Sequence, residues 1–350
     1  MLSLLALQTG RRAATLRRMK GIFVTTYKRF GSTGLQIGPI GLGTVNFSWL
    51  TDEPDSFAIL DKAFESGVNL IDTSDNYNAG QTEALLGRWF AQGGGRREKT
   101  VLASKCFSTP MEWVSPDPVK RSGSWVGPNQ RGLSAKHIRE ACEASLKRLN
   151  TDYLDLYQMH HIDRTVRWEE LWQAMDLLIQ QGKVLYVGSS NFAGWHIAQA
   201  QEAARARHGL GLVSEQSIYN LTRRTVELEV IPACQAYGMA FLPYSPLGAG
   251  LLGGKPGEND KGRRTYLKST PAIEAFQSLC AELGHAPAEV ALAWCASQPG
   301  VTAPIIGPRT MAQFDSGLAA MQIRLDDAAL KKLDAIFPGP GGPAPEAYAW

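Results

Sequence analysis

The chain has 350 residues, 44% of them hydrophobic and 20% charged, with no low-complexity tract and no run of about 18 apolar residues, which excludes a disordered tail protein and a transmembrane helix. Its five cysteines (Cys106, Cys142, Cys234, Cys280 and Cys295) are odd in number and lack any CxxC spacing, which argues against a disulfide framework and a zinc site and for free thiols in a reducing, cytoplasmic setting. The formal charge of +3 arises from Arg11, Arg12, Arg17, Arg18 and Lys20, all ahead of the first acid, Asp52; the remaining 31 basic and 33 acidic residues net −2, which leaves no basic field to recruit nucleic acid.

In chain order, residues 1–26 come first, Arg-rich and free of acid as transit peptides are. The other reading starts translation at Met19 and leaves a disordered or misannotated extension before a single domain at 27–350. Tyr27–Ile37, split by Ser32-Thr33-Gly34, predicts a short hairpin. From residue 39 onward, apolar runs of strand length alternate with helix-period segments. Strands are predicted at Pro39–Val45, Asn69–Ser74, Thr100–Cys106, Tyr153–His160, Val184–Ser190, Leu212–Gln216, Met239–Tyr244 and Thr302–Gly307. Among the helices, Arg167–Gln181 carries Trp168, Leu171, Trp172, Met175 and Leu178 on one face and closes at Gly182; Ala135–Leu149 repeats the pattern with Ile138, Cys142 and Leu149. Strict βα alternation with near-continuous apolar strands predicts a parallel sheet covered by helices. Eight such units in about 300 residues predict a single (β/α)8 TIM barrel.

Two segments break the rhythm: 107–133, with Trp113 and Trp125, and the Gly- and Lys-rich 247–270. Loops of that length in a compact domain serve as lids or binding loops. The strands also stop being apolar in a consistent way. The second ends at Asp72, the third at Lys105, the fourth at His160, the fifth at Ser190-Asn191, the sixth at Gln216, the seventh at Tyr244-Ser245 and the eighth at Gly307 and Arg309. In a parallel barrel all these ends meet on one face, where barrel enzymes place their sites.

Asp72-Thr-Ser-Asp-Asn-Tyr77, followed by Thr82-Glu83 and Gly87, resembles the aldo-keto reductase signature D-T-A-x-x-Y-G…E-x-x-(L/I)-G, with Asn78 in place of the usual Gly. Lys105 in Leu-Ala-Ser-Lys and His160 in Leu-Asp-Leu-Tyr-Gln-Met-His resemble the other members of that family's catalytic tetrad, and the likeness runs through residues 27–335. The implied chemistry is coherent. Hydride addition to a carbonyl leaves an alkoxide that must be protonated, and a tyrosine can give the proton. An adjacent lysine lowers the phenol's pKa, and a buried lysine needs a carboxylate such as Asp72 to keep its own proton. His160 can hydrogen-bond the carbonyl oxygen. The competing reading is a structural Asp72–Lys105 ion pair with His160 a core histidine. His160-His161 is not read as a metal pair, because adjacent strand residues point to opposite faces if the strand runs through both.

The resemblance also implies a nicotinamide cofactor. Ser190, Asn191 and Gln216 suit a carboxamide, Tyr244 offers a ring for stacking, and Gly188-Ser-Ser-Asn-Phe resembles the family's G-x-S-N-F segment. Ser245, Pro246, Leu247 and Gly248 follow the family's P-Y-S-P-L pattern toward the pyrophosphate, and Gly43 and Thr44 at the first strand end join the set. Gly307, Arg309 and Gln313 resemble the G-x-R-x-x-x-Q stretch for the adenosine ribose phosphate, where Arg309 forking onto a 2′-phosphate implies NADPH. Ser316 and Gly317 stand where the family often has Glu and Asn. Gly248-Ala-Gly250-Leu-Leu-Gly253 matches GxGxxG but precedes Gly254-Lys255-Pro256, a poor helix start, so it reads as a loop over the pyrophosphate.

Phe47, Trp49, Trp113 and Trp125, with Tyr348 and Trp350, are candidate walls of an aromatic pocket for a small-molecule aldehyde, ketone or sugar, the last as in bacterial family members that act on sugar carbonyls. An alternative is a nicotinamide-nucleotide-binding regulatory subunit with little turnover, like the reductase-fold β subunits of potassium channels. Loss of Tyr77 or Lys105 would favour it, and both are present.

Overall fold

The computed structural model describes residues 26–109, 127–254 and 270–349. The hairpin comes first: β1 (Lys28–Arg29) pairs antiparallel with β2 (Gln36–Ile37), Lys28 opposite Ile37. Eight parallel strands follow: β3 (Gly41–Gly43), β4 (Leu70–Asp72), β5 (Val101–Cys106), β6 (Leu154–Met159), β7 (Val184–Ser190), β8 (Leu212–Ile218), β9 (Ala240–Tyr244) and β10 (Ile305–Ile306). They pair in the order β10-β3-β4-β5-β6-β7-β8-β9. A parallel bridge between Phe241 and Val301, with the Thr302 amide donating to the Phe241 carbonyl at 2.9 Å, brings the last edge against the first. The result is the expected (β/α)8 TIM barrel behind an N-terminal hairpin. The first and last strands are shorter than the sequence predicts; at the β9–β10 seam the Thr302 hydroxyl, ahead of β10, accepts from the Phe241 amide.

Strand alternation divides the core in two. Leu70, Val101, Ala103, Leu156, Ala240, Leu242, Ala303 and Ile305 fill the barrel, joined by Phe30 and Ile37 of the hairpin. The intervening residues, such as Ile71, Leu102, Tyr157, Val187 and Phe241, face the helices. In β8 the phase slips: Leu212 packs outward and Val213 inward, at a register irregularity beside Val187/Gly188. That bulge lets the later alternation put Gln216 inside and Glu215 outside.

The helices carry their own start and stop signals. The helix Ala135–Leu149 is capped by the Ser134 hydroxyl and closed by Asn150 in the left-handed region. The helix Trp168–Gln180 buries Leu171, Trp172, Met175 and Leu178 as the spacing predicts. Gly87, in the helix Gln81–Phe90, meets the end of Ala135–Leu149 so closely that a Cβ there would lie 2.3 Å from the Arg148 carbonyl oxygen. All five cysteines are free and buried. No helix among the described residues is long and apolar enough to cross a membrane.

Candidate active site

Inward alternation brings the last inward side chains of β4, β5, β6, β7, β8 and β9 to one rim. Asp72, at the end of β4, is 3% exposed, and Lys105, in β5, is fully buried. The Lys105 Nζ donates to Asp72 Oδ2 at 2.6 Å, to the Thr73 carbonyl at 2.8 Å and to the Tyr77 hydroxyl at 3.3 Å. All three ammonium donors are thereby used. The other carboxylate oxygen, Asp72 Oδ1, accepts from Gln158 Nε2 at 3.1 Å and Gln216 Nε2 at 2.8 Å. Tyr77 sits after β4 in a tight turn in which Asn78 and Ala79 are left-handed. Asn78, the departure from the family's Gly, fits because asparagine tolerates that region and its Nδ2 donates to the Ser48 carbonyl at 2.7 Å.

Burial pushes the Tyr77 phenol above its ordinary value near 10; Lys105 pulls it down, and Asp72 pushes it up again. The sequence argument has the lysine lowering this pKa. Its pull is present, but burial outweighs it. Burial also works against the Lys105 ammonium, but Asp72 and then Tyr77 more than offset it, so the lysine holds its proton more firmly than usual.

His160 follows β6 directly. Its ring lies 6.1 Å from the Tyr77 ring, centroid to centroid, and its Nδ1 is 3.2 Å from the Ser74 hydroxyl. Burial, then Lys105 and His161, hold the imidazole well below 6.5, so it is neutral at physiological pH. One sequence expectation is corrected here. β6 ends at Met159, and the His160 and His161 rings stack 5.3 Å apart and 6° from parallel rather than pointing to opposite faces. Strand alternation stops where the ladder stops. Among the described residues no group of three or more His, Cys, Asp or Glu side chains gathers as metal ligands.

Beside the tetrad lies a cradle of amides and hydroxyls. Asn191, left-handed at φ 59°, donates from Nδ2 to the His160 carbonyl (3.2 Å) and to Ser190 Oγ (2.9 Å), and its Oδ1 accepts from the Tyr244 hydroxyl at 2.9 Å. Gln216 presents its NH2 to the Asp72 carboxylate, and its Oε1 takes no hydrogen bond from the described residues. The Ser190 hydroxyl accepts from Asn191 and donates to nothing described. An unengaged donor and an unengaged acceptor side by side complement a carboxamide, so these residues fit a nicotinamide. Tyr244 is fixed by its hydroxyl and presents its ring at the same rim. Farther out, Ser245, Gly248 and Ala249 are left-handed, and the Gly248 amide donates to the Ser245 carbonyl at 2.9 Å, closing a tight turn. Pro246 lies inside this turn. The GxGxxG stretch opens a short 3-10 turn at Gly248–Gly250, as the loop reading requires.

At the eighth strand end the Gly307 carbonyl accepts from Asn46 Nδ2 at 2.8 Å, and Gln313 turns back to accept from the Arg309 amide at 2.8 Å. Gln313 therefore shapes the turn that carries half-buried Arg309. Gly317 packs against Ile306: a Cβ there would lie 2.6 Å from Ile306 Cδ1, so a larger residue requires that side chain to shift.

Several expected residues are placed otherwise. Phe47 is fully buried in the outer core and offers no surface to a ligand, because its amide bond to the Thr44 carbonyl folds the chain back over the barrel. Thr44 is also fully buried; its hydroxyl donates to the Asp72 carbonyl at 3.0 Å and so steadies Asp72 from behind. Gly43 is held to glycine by β10, where a Cβ would lie 2.8 Å from Ile305 Cγ2. Trp49 is half-buried near the rim. Trp113, Trp125, Trp350, the Tyr348 side chain and the extension before residue 26 lie outside the described residues. The sequence reading missed Gln158, the last inward residue of β6, although it stands two positions before His160. It also missed Glu215, a lone acid inside an apolar strand.

The aldo/keto reductase family model matches residues 39–337. The chain belongs to the aldo-keto reductase family. It is 48% identical over 335 residues to the Bacillus subtilis protein named uncharacterized oxidoreductase YrpG, covering 93% of this chain and 99% of that one. It is 30% identical to versiconal hemiacetal acetate reductase of Aspergillus parasiticus, covering 89% of this chain and 99% of the relative. It is 31% identical to a probable voltage-gated potassium channel subunit beta of Oryza sativa, covering 89% and 96%. These likenesses make this aldo-keto reductase an oxidoreductase of the carbonyl-reducing kind, in a family that generally uses NAD(P)H.

Proposed function

We propose that the protein reduces an aldehyde or ketone to its alcohol with NADPH, Tyr77 giving the proton. The observation that carries this reading is the Lys105 Nζ, held between Asp72 and the Tyr77 hydroxyl. When bound, NADPH supplies the hydride. Ser190 and Gln216 would hold the carboxamide, the Tyr244 ring would back the nicotinamide, and Arg309 would take the 2′-phosphate. Neutral His160 donates a hydrogen bond to the substrate oxygen and fixes its angle. As charge develops on that oxygen, the Tyr77 O–H passes its proton across, and Lys105 stabilises the phenolate left behind. Asp72 keeps Lys105 charged throughout. Trp49 and the aromatic residues beyond the described segments would wall the pocket, with sugar carbonyls among the candidate substrates.

The test is NADPH consumption with nitrobenzaldehyde and then with a panel of aldehydes, ketones and keto sugars. Consumption with formation of the alcohol is expected. The likeness to the channel β subunit favours a second reading, a nucleotide-binding regulatory subunit; tight NADPH binding without consumption across the panel would support it and contradict the first. Replacing Arg309 with Ala should raise the Kd for NADPH by about tenfold or more and leave that for NADH nearly unchanged. Equal losses for both nucleotides would remove the 2′-phosphate role.

A further inference from the structure

Glu215 lies on the opposite side of β8 from Gln216, behind the cradle and out of reach of any ligand in it. It is fully buried. Its Oε2 accepts from the Ser189 hydroxyl at 2.5 Å; its Oε1 accepts from the Ser217 hydroxyl at 2.5 Å and the Phe192 amide at 3.1 Å. No lysine or arginine pairs with it among the described residues. Such a carboxylate costs several kcal/mol to bury unless its lone pairs are filled, so its donors are held as tightly as it is. Those donors bracket one turn. Ser189 precedes Ser190 in β7, and Phe192 follows Asn191. The Asn191 amide is itself tied to the Gln216 carbonyl at 3.0 Å. Between these anchors Asn191 is left-handed, which aims its side chain at Ser190, the His160 carbonyl and Tyr244.

We infer that Glu215 is a positioning residue for the cofactor: its carboxyl group locks the Ser190–Asn191–Phe192 turn from behind and so holds the carboxamide cradle in its binding shape. The inference rests on the reading of that cradle as a nicotinamide site. Around Glu215, the titratable groups that feel its charge are Cys234, on the helix Val230–Ala236, and Tyr244, on β9. Both stay neutral at ordinary pH, so the charge that changes there is Glu215's own. Burial pushes this carboxyl up to about 7, against the pull of the Ser189 and Ser217 hydroxyls and the neighbouring amides. Because folding raises this pKa, the protonated carboxyl is the form the folded turn favours, and ionisation as pH climbs past about 7 leaves a buried charge with no cation beside it among the described residues, which loosens the turn.

The experiment compares wild type with Glu215→Gln, which keeps the side chain's size and cannot ionise. NADPH affinity is read by tryptophan fluorescence, and hydrogen exchange of the peptide spanning 189–193 is read without nucleotide, both between about pH 6 and pH 8.5. Expected for wild type is a Kd that rises roughly tenfold more than the variant's as pH climbs through that window. At about pH 6 the variant's Kd should be raised, because an amide cannot accept from all three donors, with faster exchange across 189–193 and a retained melting temperature at that pH. The same Kd and exchange for both proteins at every pH would overturn the inference. Should wild type bind no NADPH, the functional reading fails by itself; exchange across 189–193 then decides the lock, faster in the variant supporting it and unchanged refuting it.

Discussion

Lys105 keeps its proton inside the barrel because Asp72 accepts from it at 2.6 Å, and the same charge is what makes a phenolate at Tyr77 tolerable. Its folded pKa is raised, so the stability it contributes is present below its ordinary value of 10.5 and is lost only as pH climbs through the folded value. Replacing Lys105 with Met leaves Asp72 buried with only the two glutamine amides. The variant should be destabilised by about 3 kcal/mol, read in urea unfolding, and slowed at least about a hundredfold in carbonyl reduction. A variant as stable and as fast as wild type would contradict the arrangement. His160 is held well below 6.5 and Tyr77 above 10, so neither changes charge near neutrality. With NADPH saturating, the expected kcat/KM for the carbonyl substrate is therefore flat between about pH 7 and pH 9; an inflection there that disappears in His160→Ala would count against a neutral imidazole. At this scale the sequence was informative where chemistry narrows the choice. Asp72, Tyr77, Lys105 and His160 stand out as polar groups ending apolar runs. Phe47 could not be placed, because an aromatic after a strand fits a pocket wall or a core anchor equally well until the chain's return path is known.

At the scale of elements, close approach explains what propensity does not. Gly87 lies mid-helix, where Ala would ordinarily be favoured by about 1 kcal/mol. Here an added Cβ would meet the Arg148 backbone carbonyl at 2.3 Å, and backbone cannot step aside cheaply. Gly87→Ala should lower stability by roughly 2 kcal/mol, with a matching fall in melting temperature; a stabilised variant would show that the two helices are free to separate. Glu215 gives an element-scale signature of opposite pH sign to the usual carboxylate. Its pKa rises from 4.5 to about 7 on folding, so its stabilising contribution is complete below the lower value and is lost as pH passes the upper one. Relative to wild type, Glu215→Gln should therefore gain stability between pH 5 and pH 8, by at most about 3 kcal/mol. A difference that shrinks with rising pH would contradict the buried, cation-free setting. The strands were legible as near-continuous apolar runs because both their faces are buried, and the Ala135–Leu149 helix by its single buried face. Periodicity could not show the slip at Val213, which exchanges the faces of β8, nor that β6 stops at Met159 and lets His160 and His161 stack.

For the whole molecule, the barrel converts separation in sequence into proximity. Asp72 and Gln216, 144 positions apart, are hydrogen-bonded because parallel strands deliver their C-terminal ends to one rim. This is why the order of polar strand ends was legible before any coordinates, while the seam was not: β10 contributes two residues, and closure depends on Thr302 reaching Phe241. The most direct measurement of the site's central claim is single-turnover oxidation of bound NADPH by a reactive aldehyde in wild type and Tyr77→Phe, with NADPH affinity measured in the same preparations. With Tyr77 as proton donor, the variant binds NADPH as wild type does and transfers hydride at least about a hundredfold more slowly. Equal turnover rates in the two proteins would contradict it.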